Sequence, residues 1–201
     1  MYKRQVDALG EVGRSGGIDG TASSLDLTVR AAAALAEHHV RTGDRVGLRV
    51  VGGNGAYVGY GAGTRHLRVL LGALAAVRPG VPRDLPDGGL ALRAAAGTEV
   101  LILSPLLQPV MVTTAALLTG RGLPVTVIDT LPDDVDVETT DGPSPDLVRL
   151  AMRLRRAERD LLLERLAHTG CPVVRWRGPG TLDDVLRRLA RRAQLPVVRA
   201  R

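Results

Sequence analysis

Residues 23–53, SSLDLTVRAAAALAEHHVRTGDRVGLRVVGG, contain a complete helix, a turn and a strand, and the fold follows from how they are read. Leu25, Val29, Ala32, Ala33, Ala36 and Val40 recur at helical spacing, with Asp26, Arg30, Glu37 and Arg41 on or beside the opposite side, so an amphipathic helix is predicted. Ser23 and Asp26 form its start signal: a hydroxyl for the free amides and an acid at the positive end of the helix dipole. Gly43 supplies the left-handed residue that stops it. From Arg45 to Val51, Val46, Leu48 and Val50 alternate with Gly47 and Arg49, which is the period of a strand.

Working outward, the same unit recurs. Val6 to Leu9 is read as the end of a strand, delivered by the Gly-rich loop GEVGRSGGIDG to the Ser23 helix. A central parallel strand is buried on both faces and should be apolar throughout, and Lys3, Arg4 and Gln5 do not fit one. Residues 1–5 are therefore expected to be a foreign leader, with the domain proper at 6–195 and a tail at 196–201. Gly52 to Gly55 makes so tight a turn that Ala56 to Tyr60 must return antiparallel at a sheet edge. Thr64 opens a helix to Val77 with Leu67, Leu70, Leu71 and Leu74 inward. A Pro/Gly-rich connection (79–89), a short helix near Leu90 to Ala96, and strands at Glu99–Ser104 and Pro124–Asp129 follow, with a helix at Val110–Thr119 between those two strands. Residues 132–146 are acidic and turn-rich, so they are read as a loop. A long helix to His168 is expected to turn Leu147, Leu150, Leu154, Leu161 and Leu162 inward. A strand at Pro172–Trp176 and a helix at Leu182–Ala193 complete the chain.

Alternating strands and helices predict an α/β fold: a doubly wound, mostly parallel sheet with the first strand central and an antiparallel edge hairpin strand. In such folds ligands bind beyond the carboxyl ends of the strands, at the switch point. That directs attention to the loop Asp7–Ser24 beside Ser104–Gln108, with Thr64 expected close by.

Composition narrows the function classes. The chain carries 27 Lys and Arg against 21 Asp and Glu, and Lys3 is its lone lysine. Cys171 is the single cysteine, so no disulfide forms within the chain and no cysteine zinc site is possible. No apolar run reaches membrane-spanning length and the start lacks a signal-peptide shape, so the chain as given is read as cytoplasmic. GEVGRSGG matches neither the dinucleotide fingerprint nor a Walker A loop. His38 and His39 are adjacent on one helix and cannot share a face; His66 and His168 flank other helices, and all four are read as surface or capping residues. The acidic group Asp133, Asp134, Asp136 and Glu138 lacks calcium-loop spacing. Arginines 149, 153, 155, 156 and 159, then 187, 188, 191 and 192, are interrupted by acids and accompanied by no aromatic platform, so no nucleic-acid partner is expected.

With that order of elements, the chain resembles the carboxy-terminal, von Willebrand factor A-like region of a bacterial family of unknown function associated with MoxR-type AAA+ ATPases. The resemblance rests on LDLTVRAAAALAEHHVRTGDRVGLRVVGG, GAGTRHLRVLLGALA, VLILSPLL and GLPVTVID, and spans residues 6–193. It implies a Rossmann-like three-layer sandwich and a protein-interaction module working with the ATPase in assembling or remodelling complexes. It also implies a membrane anchor upstream of this region. Von Willebrand A domains hold Mg²⁺ through an Asp-x-Ser-x-Ser loop, a Thr and a second Asp. Asp7 and Thr64 match, whereas Leu9, Glu11 and Pro105 stand at the other ligand positions, so the metal-ion-dependent adhesion site is degenerate and neither Mg²⁺ nor another cofactor is expected. The expected interaction rim is Glu11, Arg14, Ser15 and Asp19 with Arg65, His66, Ser104 and Gln108. The alternative is a nucleotide or phosphate held by the switch-point loop amides and Arg14.

Overall fold

The computed structural model describes residues 1–13, 15–16, 21–81, 90, 94, 97–133 and 144–193. Arg14, Asp19, most of the predicted short helix around 90–96, most of the acidic loop and the 196–201 tail lie outside them. Among the described residues, six strands form one sheet: β1 (Tyr2–Asp7), β2 (Val46–Val51), β3 (Tyr57–Gly61), β4 (Glu99–Ser104), β5 (Val125–Asp129) and β6 (Val173–Arg175). Their spatial order is β3-β2-β1-β4-β5-β6, and every neighbouring pair is parallel except β2 with β3. The fold is therefore α/β and Rossmann-like, with the antiparallel edge strand that the Gly52–Gly55 turn requires.

Helices α1 (Ser24–Arg41), α2 (Gly63–Ala75) and α5 (Leu182–Ala193) cover one face, where Leu35, Leu70 and Val185 join Val6, Leu48 and Leu101 in one core. Helices α3 (Pro109–Gly120) and α4 (Pro145–His168) cover the other, where Met111, Leu118 and Leu166 pack on Val100, Ile102 and Val127. The start of α1 is built as its sequence signals. Ser23 Oγ accepts from the Asp26 N–H and Asp26 Oδ2 accepts from the Ser23 N–H, both at 3.1 Å, a reciprocal capping box. Gly43 follows the helix at φ +85°.

Four sequence expectations change. The first strand begins at Tyr2, and Lys3, Arg4 and Gln5, thought unsuited to a central strand, are buried within β1 between β2 and β4. Parallel backbone pairing on both sides outweighs the side-chain polarity, at the cost of atoms left without partners. Arg4 donates through Nη2 to the Leu35 carbonyl at 2.6 Å, while its other guanidinium nitrogens and the Gln5 amide have no hydrogen-bond partner among the described residues. In α1 the inward stripe is rotated from the expected one, to Leu25, Thr28, Ala31, Ala32, Leu35, Ala36, His39 and Val40, so His39 is buried against Tyr2 and not on the surface. In α2, Leu71 is exposed, and Leu70 and Leu74 carry the packing. In α4, Leu147, Leu150, Leu154 and Leu161 point outward, 54–60% exposed.

Candidate functional site

The switch point lies between β1 and β4, where the strand order turns from one side of the sheet to the other. At the carboxyl edge there, Asp7, Ser104 and Asp129 end the three adjacent strands β1, β4 and β5. Each is a short polar side chain, and each bends back to accept the N–H two residues on: Leu9 on Asp7 Oδ1 at 2.9 Å, Leu106 on Ser104 Oγ at 2.8 Å, and Leu131 on Asp129 Oδ1 at 3.1 Å. This is the local turn chemistry that Asp and Ser favour, and it turns three chains sharply out of the sheet together.

The row is also tied across strands. The Ser104 hydroxyl donates to Asp7 Oδ2 at 2.6 Å, so both oxygens of Asp7 are engaged. Burial pushes the Asp7 carboxyl group up from its ordinary range, and the Ser104 and Leu9 hydrogen bonds pull it back. Asp129 pairs with Arg159 of α4, and Arg159 Nε donates to the Pro105 carbonyl at 2.8 Å, so one buried guanidinium joins the β4 and β5 loops. Thr28 of α1 meets Thr130 through their hydroxyls at 2.6 Å, and the Val12 N–H donates to Ser24 Oγ at 2.9 Å, anchoring the β1–α1 loop on α1. On the far side, Gly80 N–H donates to the Ala8 carbonyl at 2.9 Å and Gly53 N–H to the Gly80 carbonyl at 2.7 Å. A Cβ on Gly52 would stand 2.7 Å from the Ala8 carbonyl, which explains glycine at that turn.

Leu106 sits at φ +55° with its side chain buried. For a residue other than glycine this left-handed conformation costs about 1–2 kcal/mol. Its N–H bond to Ser104 and its apolar packing hold it there, so the β4–α3 loop is strained directly beside the switch point.

The edge brings together some of the predicted site residues and not others. Glu11 and Ser15 are exposed on the β1–α1 loop, and Gln108 is half-buried on the β4–α3 loop; Ser104 is buried beneath them. Thr64, Arg65 and His66 are at the opposite pole. Gly61, the last residue of β3, pairs with Val46, the first of β2, and His66 Nε2 is 2.7 Å from the Val46 carbonyl. Because β3 runs antiparallel, α2 must begin where the parallel strands begin. Asp7 and Thr64 therefore do not share a site, and with Asp7 Oδ1 and Oδ2 already accepting hydrogen bonds, the donors here do not fit an octahedral ion. Asp129, Arg159, Thr28 and Thr130 were not singled out for this site from sequence. The only hint was PVTVID, a buried strand ending in a carboxylate; Arg159 was hidden among α4's other arginines.

No family model matches the chain, and no curated protein matches it. Among solved structures, an uncharacterized membrane spanning protein from Vibrio fischeri is similar at 14% identity, over 98% of this chain and 100% of that one, with a TM-score of 0.27. A likeness that loose carries no argument. Among the described residues, no helix is long and apolar enough to cross a membrane.

Proposed function

We propose that the chain is a von Willebrand A-like, non-enzymatic interaction module that engages a MoxR-type AAA+ ATPase through the carboxyl edge of its sheet. The ATPase enters through the family resemblance. What supports the location is one observation: Asp7, Ser104 and Asp129 are spent on turning and bracing their own loops, leaving a braced rim that, among the described residues, exposes Glu11 and Ser15 beside the half-buried Gln108. A preorganised edge suits recognition because little ordering entropy is lost on binding. In the adhesion domains that the chain resembles, a metal would fix this rim; here a side-chain latch takes that place, so binding is independent of Mg²⁺.

A pull-down with a MoxR-type ATPase tests this reading. Glu11→Arg, Ser15→Arg and Gln108→Arg should each reduce recovery, in EDTA as in Mg²⁺, while Arg65→Glu at the opposite pole should leave it unchanged. Recovery that survives all three rim substitutions overturns the placement.

A further inference from the structure

Helix α4 packs on the domain with an unexpected face. Val148, Met152, Arg156, Arg159, Leu162, Leu163 and Leu166 form its inward stripe, with Arg159 and Leu166 fully covered. Two of these are arginines, and they set the rotation. Arg159 pairs with Asp129 and bonds the Pro105 carbonyl, and Arg156 Nη2 donates to the Asp133 carbonyl at 2.8 Å. Once those bonds form, the leucines at 147, 150, 154 and 161 must face away, each more than half exposed.

Their spacing of three, four and seven is that of a heptad seam with Ala157 filling the remaining inner position. Four leucines exposed to this degree on one stripe make an apolar patch on the order of 400 Å², the size at which such a surface marks an interaction site. The helix is already folded and docked on a domain, so a short seam does not bear the nucleation cost that an isolated peptide would.

The charges beside the seam specify the occupant. We infer that two copies of this chain pair through α4, antiparallel about a two-fold axis. With that axis crossing the helix between Arg155 and Arg156, Leu154 meets the partner's Ala157 and Leu150 meets the partner's Leu161. In the same register Arg153 falls beside the partner's Asp160, and the symmetry makes this pair twice. Arg153 has no ion-pair partner among the described residues, and Asp160 is 58% exposed with Arg159 at 3.5 Å as its one ionic contact there, so both are available. A parallel pair would also find ionic partners, Arg153 beside the partner's Glu158, but it would set Ala157 against the partner's Ala157 and leave that layer of the seam hollow, whereas the antiparallel register fills it with Leu154. The seam is on the face of α4 turned away from Arg159 and its loop contacts and shares no residue with the proposed rim, so this inference stands whether or not the proposed function does.

Sedimentation velocity on the whole chain across micromolar concentrations tests it. The wild type should shift with concentration to twice the 21.2 kDa chain mass. Leu150→Glu with Leu154→Glu should stay monomeric with an unchanged far-ultraviolet circular dichroism spectrum. Arg153→Asp, an exposed change that does not threaten folding, should weaken the dimer at least about tenfold, because it puts two acids together twice, and adding Asp160→Arg should restore it. A wild type that remains monomeric throughout overturns the inference, as does a dimer indifferent to the leucine substitutions. An Arg153→Asp dimer of undiminished affinity overturns the antiparallel register.

Discussion

Replacing Gln5 by leucine should stabilise this protein, an unusual expectation for a fully buried residue in the central strand. Gln5 is 0% exposed, lies in register with Arg49 of β2 and Ile102 of β4, and neither its Oε1 nor its Nε2 has a hydrogen-bond partner among the described residues. Each buried polar group without a partner costs about 1–3 kcal/mol relative to its hydrated state in the unfolded chain. Leucine has nearly the same size and removes both orphaned atoms, so cavity and overpacking terms are small. The net gain should be about 2–3 kcal/mol, allowing for one of the two groups being only partly desolvated in the unfolded reference. At about 2–4 °C per kcal/mol for a domain of this size, the midpoint of thermal unfolding should rise by about 5–10 °C. Urea unfolding, with the slope unchanged and the midpoint moved upward, measures it directly. A Gln5→Leu protein equal to or less stable than wild type would refute the reasoning, since the amide would then have partners and β1 would not be packed as described.

Other consequences follow from the same buried polar network. Ser104→Ala strands Asp7 Oδ2 and the Leu106 N–H together and should cost about 1–3 kcal/mol, read in the same urea experiment. Arg159→Met leaves the Asp129 carboxylate buried with the Leu131 N–H and, as its ionic partner among the described residues, the more distant Arg175 at 3.8 Å; it should cost about 3–5 kcal/mol, whereas adding Asp129→Leu should recover most of it. His39 is pulled down to about 4, chiefly by burial and then by the Arg4 charge, with Asp44 opposing. The unfolded chain then binds a proton that the folded chain refuses between about pH 6.5 and pH 4, so stability falls as pH drops through that window. The loss should total about 2–3 kcal/mol and be largely absent in His39→Gln; equal slopes in the two proteins would refute it.

The architecture was legible because alternation of helix and strand is a pattern property, and the Ser23 capping box, Gly43 and the Gly52–Gly55 turn are local signals that tertiary context did not overrule. What failed to read was set by buried polar pairs. The rotation of α4 is decided by Arg159 and Asp129, thirty residues apart, and a heptad of leucines gives no hint that it will lose to one ion pair. Apolarity likewise misjudged β1: strand pairing on both sides holds Lys3, Arg4 and Gln5 inside despite their polarity. The misplacement of Thr64 has a different origin, because the signal was present. A tight hairpin reverses β3, and a reversed β3 must begin α2 at the amino pole, a step of geometry that follows from the same glycines. Asp7 and Ser104 were correctly located at the switch point, but their mutual bond depended on register.

The proposed recognition edge is tested most directly by hydrogen exchange on the chain with and without a MoxR-type ATPase. Peptides covering Leu9–Gly16 and Ser104–Gln108 should gain protection in the complex, and those covering Gly63–Arg68 should not. Protection confined to Gly63–Arg68, with the carboxyl-edge loops exchanging as in the free chain, would contradict the account.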